Sequence, residues 1–184
     1  MLGISGGDCA GKKELIQYMF NEKDGELRMK DSQELVTLIH QDYFITSREK
    51  RFNSEGTDWV LLEKAILNIL AGNEFLIKNA KLKNVDLLLK PAKLIILEGS
   101  HIFMEDKPIC GYIDSKIFID SDSDVRLSRR IYKDTQDDGM DLNTSIVNYL
   151  ENIKPSYEHE IEPCKIKSDI IIPHFGGGYD DHRK

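Results

Sequence analysis

The residue types best suited to chemistry crowd the amino terminus, where Gly3-Ile4-Ser5-Gly6-Gly7-Asp8-Cys9-Ala10-Gly11-Lys12-Lys13 joins a short apolar run to a helix start. Glycines so spaced let successive backbone N–H groups point inward, and a helix opening at the loop's end adds partial positive charge, so the segment suits phosphate. Gly6, Gly11 and Lys12 fit the phosphate-loop pattern G-x-x-x-x-G-K-[ST], with Lys12 reaching for the outer phosphates. The last position departs from it: a hydroxyl for Mg²⁺ belongs there, and Lys13 occupies it.

Two carboxylates stand where strands should end. Leu35-Val36-Thr37-Leu38-Ile39 reads as a buried strand and runs into His40-Gln41-Asp42-Tyr43. Ligands of open α/β sheets sit beyond the carboxyl ends of strands, so Asp42 is either a site residue or a turn cap. Leu94-Ile95-Ile96-Leu97 is a fully apolar run, suited to a central parallel strand, and Glu98-Gly99 follows at once. Glu98 would order a metal-bound water. Arg126, Arg129, Arg130 and Lys133 recur at helical spacing behind a cap at Asp122 or Ser123, as a phosphate-facing or a solvated face balanced by Asp124, Asp134, Asp137 and Asp138.

These groups need a scaffold. Leu15, Ile16, Met19 and Phe20 make a helix after the loop, and Asn21 to Asp31 a polar connection. Asp58 should cap a helix carrying Leu61, Leu62, Ala65, Ile66, Ile69 and Leu70, stopped by Gly72. Phe75–Lys78 and Val85–Leu89 suggest a hairpin overhanging the ligand side. Lys116–Asp120 is a further strand, Leu142–Ile153 a helix ended by Lys154-Pro155, and Asp169–Pro173 a last strand. Strands alternating with helices predict an α/β doubly wound parallel sheet in one domain, residues 1–173, with a flexible tail at 174–184.

Composition narrows the partners. With 40% hydrophobic and 31% charged residues, the 184-residue chain has the balance of an ordinary globular protein, and it contains no apolar run of membrane-spanning length. A net charge of −7 argues against a broad nucleic-acid surface. Cys9, Cys110 and Cys164 match no metal or disulfide framework, which, with no signal-peptide pattern at the start, predicts reduced thiols in the cytoplasm.

Gly3–Gly7 with Gly11-Lys12, Gln41-Asp42, Leu97-Glu98-Gly99, Asp124–Arg130, Asp141-Leu142, Lys154-Pro155 with Tyr157-Glu158, and Ser168–Pro173 together resemble the uridine kinase family of phosphate-loop nucleoside kinases, within the group that includes phosphoribulokinase and nicotinamide riboside kinase. They follow the family's order over nearly the whole chain. The resemblance implies a five-stranded parallel core and ATP-dependent phosphorylation of a nucleoside 5′-hydroxyl. It makes Asp42 the base, Gly6 to Lys12 the ATP cradle, Arg130 and Lys133 the lid cations, and Glu98 the acid beside Mg²⁺. Tyr43, Asn53, Asp58 and Asn148 would lie on the substrate side, with Asn53 and Asp58 as alternatives for one ribose contact.

The departures cluster near the chemistry. Lys13 has no lone pair for a metal, and Asp8 adds an anion to the loop, so an Asp8–Lys13 pair is expected. Asp138 and Met140 stand where the family has lid arginines, the hairpin lacks the family's His and Tyr, and the closing helix after Ile-Ile-Pro is not recognisable. Two functions are therefore expected as alternatives: a nucleoside kinase, or a lapsed member that binds nucleotide as a regulatory subunit. Protein partners would be a second copy or an active relative.

Overall fold

The computed structural model describes residues 1–20, 35–47, 50–80 and 85–173; the expected connection at 21–31 and tail at 174–184 lie outside them. The apolar runs β1 (Leu2–Gly6), β2 (Val36–His40), β5 (Leu94–Glu98), β6 (Ser115–Asp120) and β7 (Ile170–Pro173) form one sheet in the order β2-β5-β1-β6-β7, parallel throughout. Successive residues of a strand face opposite ways, and both faces are covered here. Ile95 and Leu97 join the core that includes Leu62, Ala65, Ile66 and Ile69, whereas Ile96 joins Ile4, Ile16 and Ile119 on the other side. That double burial is why the β5 run is apolar without alternation.

Helix α1 (Lys12–Phe20) follows the loop after β1, and α2 (Trp59–Leu70) begins where the Asp58 carboxylate accepts the Leu61 N–H at 2.9 Å. The predicted cap and the Gly72 stop both hold, Gly72 lying just past the helix. Strands β3 (Phe75–Ala80) and β4 (Val85–Leu89) pair antiparallel as expected. The overhang does not follow: Ile77 and Leu89 are buried in the core with α2, which draws the ribbon against the sheet's flank, and none of its described residues lines the cavity below.

Helix α3 (Ser123–Tyr132) continues into a wide π-turn, Lys133–Asp137. Helix α4 begins at Leu142 behind Asp141, whose side chain accepts from the Asn143 and Thr144 N–H groups. Its expected end at Lys154-Pro155 is a correction. Helical backbone runs on from Leu142 through π-turns at Tyr149–Ile153 and Tyr157–Ile161, with Pro155 inside it. The π-turn just before Pro155 widens the backbone where the ring would clash with a regular α-turn and absorbs its missing N–H.

Candidate active site

Parallel pairing brings the carboxyl ends of β1, β2 and β5 to one edge, with His40 and Ile4 both in register with Glu98. There the chain from Gly6 to Lys12 forms the loop. Gly6 has φ 147° and Gly11 φ 103°, and a Cβ on Gly6 would lie 2.6 Å from the Ile119 carbonyl oxygen, so the first of these positions excludes a side chain. Cys9 holds φ 57° without being glycine, its carbonyl accepting from Arg129 Nη1 at 3.3 Å. Burial and the Asp8 charge push the Cys9 thiol up to about 12, which keeps it protonated and unreactive. Lys12 lies back along the loop, its Nζ donating to the carbonyls of Gly6 (3.1 Å) and Gly7 (2.9 Å) and to Ser100 Oγ (3.2 Å).

A cavity of about 670 Å³ opens over the loop. Its wall brings together Asp8, Cys9, Ala10, Gly11, Lys12, Lys13, Asp42, Glu98 and Lys133 from the expected site. Gly6 and Gly7 lie beneath it in the loop. Tyr43, Asn53, Asp58 and Asn148 do not line it: Tyr43 packs edge-on to His40, Asp58 serves as the α2 cap, and Asn148 accepts from Asn152 on its own helix. Asn53 is the more telling of the two ribose alternatives, since its buried Oδ1 has no hydrogen-bond partner.

Arg130, expected as a lid cation, is 2% exposed and absent from the wall. Asp134, one helical turn on and fully buried, grips it through Nη2 and, at 3.0 Å, through Nε, while Nη1 donates to Asp8 at 3.2 Å. Asp138 approaches to 3.9 Å. Burial works against the guanidinium's charge, but Asp134 and Asp8 more than offset it and raise its pKa. For Asp8, burial pushes up and Arg130, then Lys12, Lys133 and Arg51 outweigh it, so the carboxyl titrates below its usual range. The expected Asp8–Lys13 pair is absent: Asp8 is taken by Arg130, and Lys13 Nζ lies 4.0 Å from Asp42 Oδ2 instead.

Glu98 is also engaged. His40 Nδ1 meets its carboxylate at 2.7 Å and Lys12 Nζ stands 3.9 Å away. Burial raises the Glu98 pKa, and the His40 hydrogen bond with the charges of Lys12, His40 and Lys13 brings it below the ordinary value.

No residue spacing announces the network that Gln41 and His101 build behind the cavity wall. The His101 N–H donates to Gln41 Oε1 at 3.1 Å, which orients the amide so that Gln41 Nε2 donates to Thr57 (2.8 Å) and to His101 Nδ1 (3.2 Å). The ring hydrogen then sits on Nε2, facing Ser156 Oγ at 3.0 Å and Glu160 at 3.2 Å. Glu160 also accepts from the Ser54 N–H and hydroxyl, each at 3.0 Å. Gln41 and His101 line the cavity; their partners join it to α4 and to the segment before α2. Arg51 and Phe52, the latter opening the stretch that stands for the family's ribose motif, also line the cavity, with Arg51 stacked over Phe52 at 4.5 Å and Arg130 at 5.1 Å. A Phe flanked by arginine carries no spacing signal that could have revealed this.

The model of the phosphoribulokinase/uridine kinase family matches residues 1–177. The chain belongs to that family. A uridine kinase of Clostridium tetani is 30% identical to it over 96% of this chain and 87% of its own. Among solved structures, a protein described as a fructose transport system kinase from Silicibacter sp. TM1040 superposes with a TM-score of 0.71 at 14% identity, covering 94% of this chain and 88% of that one. Phosphoribulokinase from Rhodobacter sphaeroides gives 0.58 at 15% identity, over 94% and 69%. These likenesses agree with the five-stranded parallel fold. Among the described residues no helix is long and apolar enough to cross a membrane.

Family membership implies ATP and usually Mg²⁺, and the two fit this site differently. Left-handed backbone at Gly6, Cys9 and Gly11, with Lys12 against the loop, makes a cradle suited to phosphates. The donor set does not suit a divalent cation. Lys13 offers no lone pair where the hydroxyl belongs, and Glu98, the carboxylate at the end of β5, is held by His40 and Lys12.

Proposed function

We propose that this chain is a phosphotransferase acting on the 5′-hydroxyl of a nucleoside such as uridine or cytidine, or on a similar small hydroxyl compound, with ATP as donor. The observation that carries the reading is the exposure of Asp42 to the same cavity that Lys12 and Lys133 line, at the end of β2. ATP, when bound, supplies the γ-phosphoryl group as electrophile. Asp42, 57% exposed and free to rotate, takes the proton of the attacking hydroxyl as its oxygen bonds to phosphorus and the bridge to ADP breaks. Lys12 and Lys133 offset charge on the transferring group. The uridine kinase relative supports a nucleoside as acceptor, and Asn53, outside the cavity wall but next in the chain to the wall residue Phe52, is the ribose-contact candidate.

A second reading has its own support. Arg130, the cation best suited to transition-state charge, is buried among Asp134, Asp8 and Asp138, which favours a nucleotide-binding subunit with lapsed catalysis. Assaying purified protein with ATP against a panel of nucleosides separates the two. Turnover that Asp42→Asn reduces by about a hundredfold or more supports the kinase; nucleotide binding without turnover on any acceptor supports the subunit.

A further inference from the structure

We propose that the Lys13 ammonium does the electrostatic work usually left to a divalent cation, so that this site binds a nucleoside triphosphate without Mg²⁺. The inference rests on the nucleotide-binding part of the reading above and concerns how the polyphosphate charge is balanced. A cation in the first turn of α1 opposes the helix dipole, so the helix does not favour Lys13 at that position. Its partner comes from the end of β2 instead: Nζ stands 4.0 Å from Asp42 Oδ2, and its charge also helps depress Glu98. Lys13 thus sets a positive charge beside the wall's two strand-end carboxylates, in contact with Asp42 and within electrostatic reach of Glu98.

Among the described residues, nothing around it prepares a second cation site. Glu98 is already compensated by His40 and Lys12, and a dication placed against the Lys13 ammonium meets repulsion in a partly desolvated cavity. The side chain is 59% exposed and flexible, so it can turn from Asp42 to phosphate oxygens while Asp42 becomes available to an acceptor hydroxyl. One residue therefore supplies charge to the nucleotide and releases the carboxylate opposite.

The test is calorimetric titration of the whole protein with a non-hydrolysable ATP analogue, in EDTA and in excess Mg²⁺. The expected result is a dissociation constant that differs by less than about threefold between the two buffers, with Lys13→Arg behaving alike and Lys13→Ser losing about tenfold in EDTA and regaining it with Mg²⁺. Wild-type affinity that rises about tenfold or more with Mg²⁺ overturns the inference and leaves the nucleotide-binding reading standing. Absence of binding in both buffers overturns that reading and the inference with it. The wild-type comparison decides the matter even if Lys13→Ser fails to fold.

Discussion

Arg130 Nη1 donates to Asp8 Oδ2 at 3.2 Å, a bond between residues 122 positions apart that fastens α3 to the phosphate loop. It sets an anion where the ligand's own charge belongs and withdraws a cation from the wall. Asp8→Asn keeps the shape and removes the charge, so nucleotide affinity should rise about tenfold, the scale of one charge-assisted contact. Titration of wild type and variant in one buffer checks this; unchanged or weaker affinity counts against an inhibitory role for Asp8.

The buried half of the same cluster is structural. Asp134→Ala leaves Arg130 charged and 2% exposed with its chelating partner gone, and leaves the Ser145 hydroxyl without the carboxylate it donates to at 2.8 Å. Breaking a buried pair this way costs about 3–5 kcal/mol, visible as a lower denaturation midpoint with an unchanged m-value.

Glu160 gives the protein an acid limb. Its pKa falls from 4.5 to about 2, chiefly through the His101 hydrogen bond against the cost of burial. A carboxyl with a depressed folded pKa stabilises the fold above its unfolded value and loses that contribution as pH falls through the folded one. At about 1.4 kcal/mol per unit, up to about 3 kcal/mol should disappear between pH 4.5 and about 2. Chemical denaturation across that range should show the loss in wild type, and a correspondingly flatter profile in Glu160→Gln.

Gly99 tests the wall that Gln41 forms. A Cβ there would come within 2.3 Å of Gln41 Oε1 and 2.5 Å of its Cβ. Gly99→Ala should therefore push the amide off the His101 N–H and cost about 1–3 kcal/mol. Thermal melting gives the stability, and nucleoside binding shows whether the displaced wall still accepts a ligand.

Local chemistry made much of this scaffold legible. The apolar runs of β2 and β5 announce buried parallel strands, Asp58 announces the start of α2, and the glycines with Lys12 announce the loop. Asp42 and Glu98 could be placed at strand ends because a strand's end is a local property. What escaped was pairing at a distance. Asp8 has two plausible cations by charge alone, Lys13 nearby and Arg130 far along the chain, and only the packing of α3 against the loop selects Arg130. His101 and Glu160 are 59 apart in number and meet only because helical backbone continues past Pro155, which the rule that proline ends helices conceals.

That continuation has a mechanical consequence. Between Ser145, bonded to Asp134, and Ser156, bonded to His101 and Glu160, the backbone forms a strut roughly 15 Å long. Tyr157, on the same strut, carries the Arg126 guanidinium 3.6 Å above its ring. One stiff member thus braces both the segment that clasps the loop and the wall opposite, so neither can tilt without loading the other.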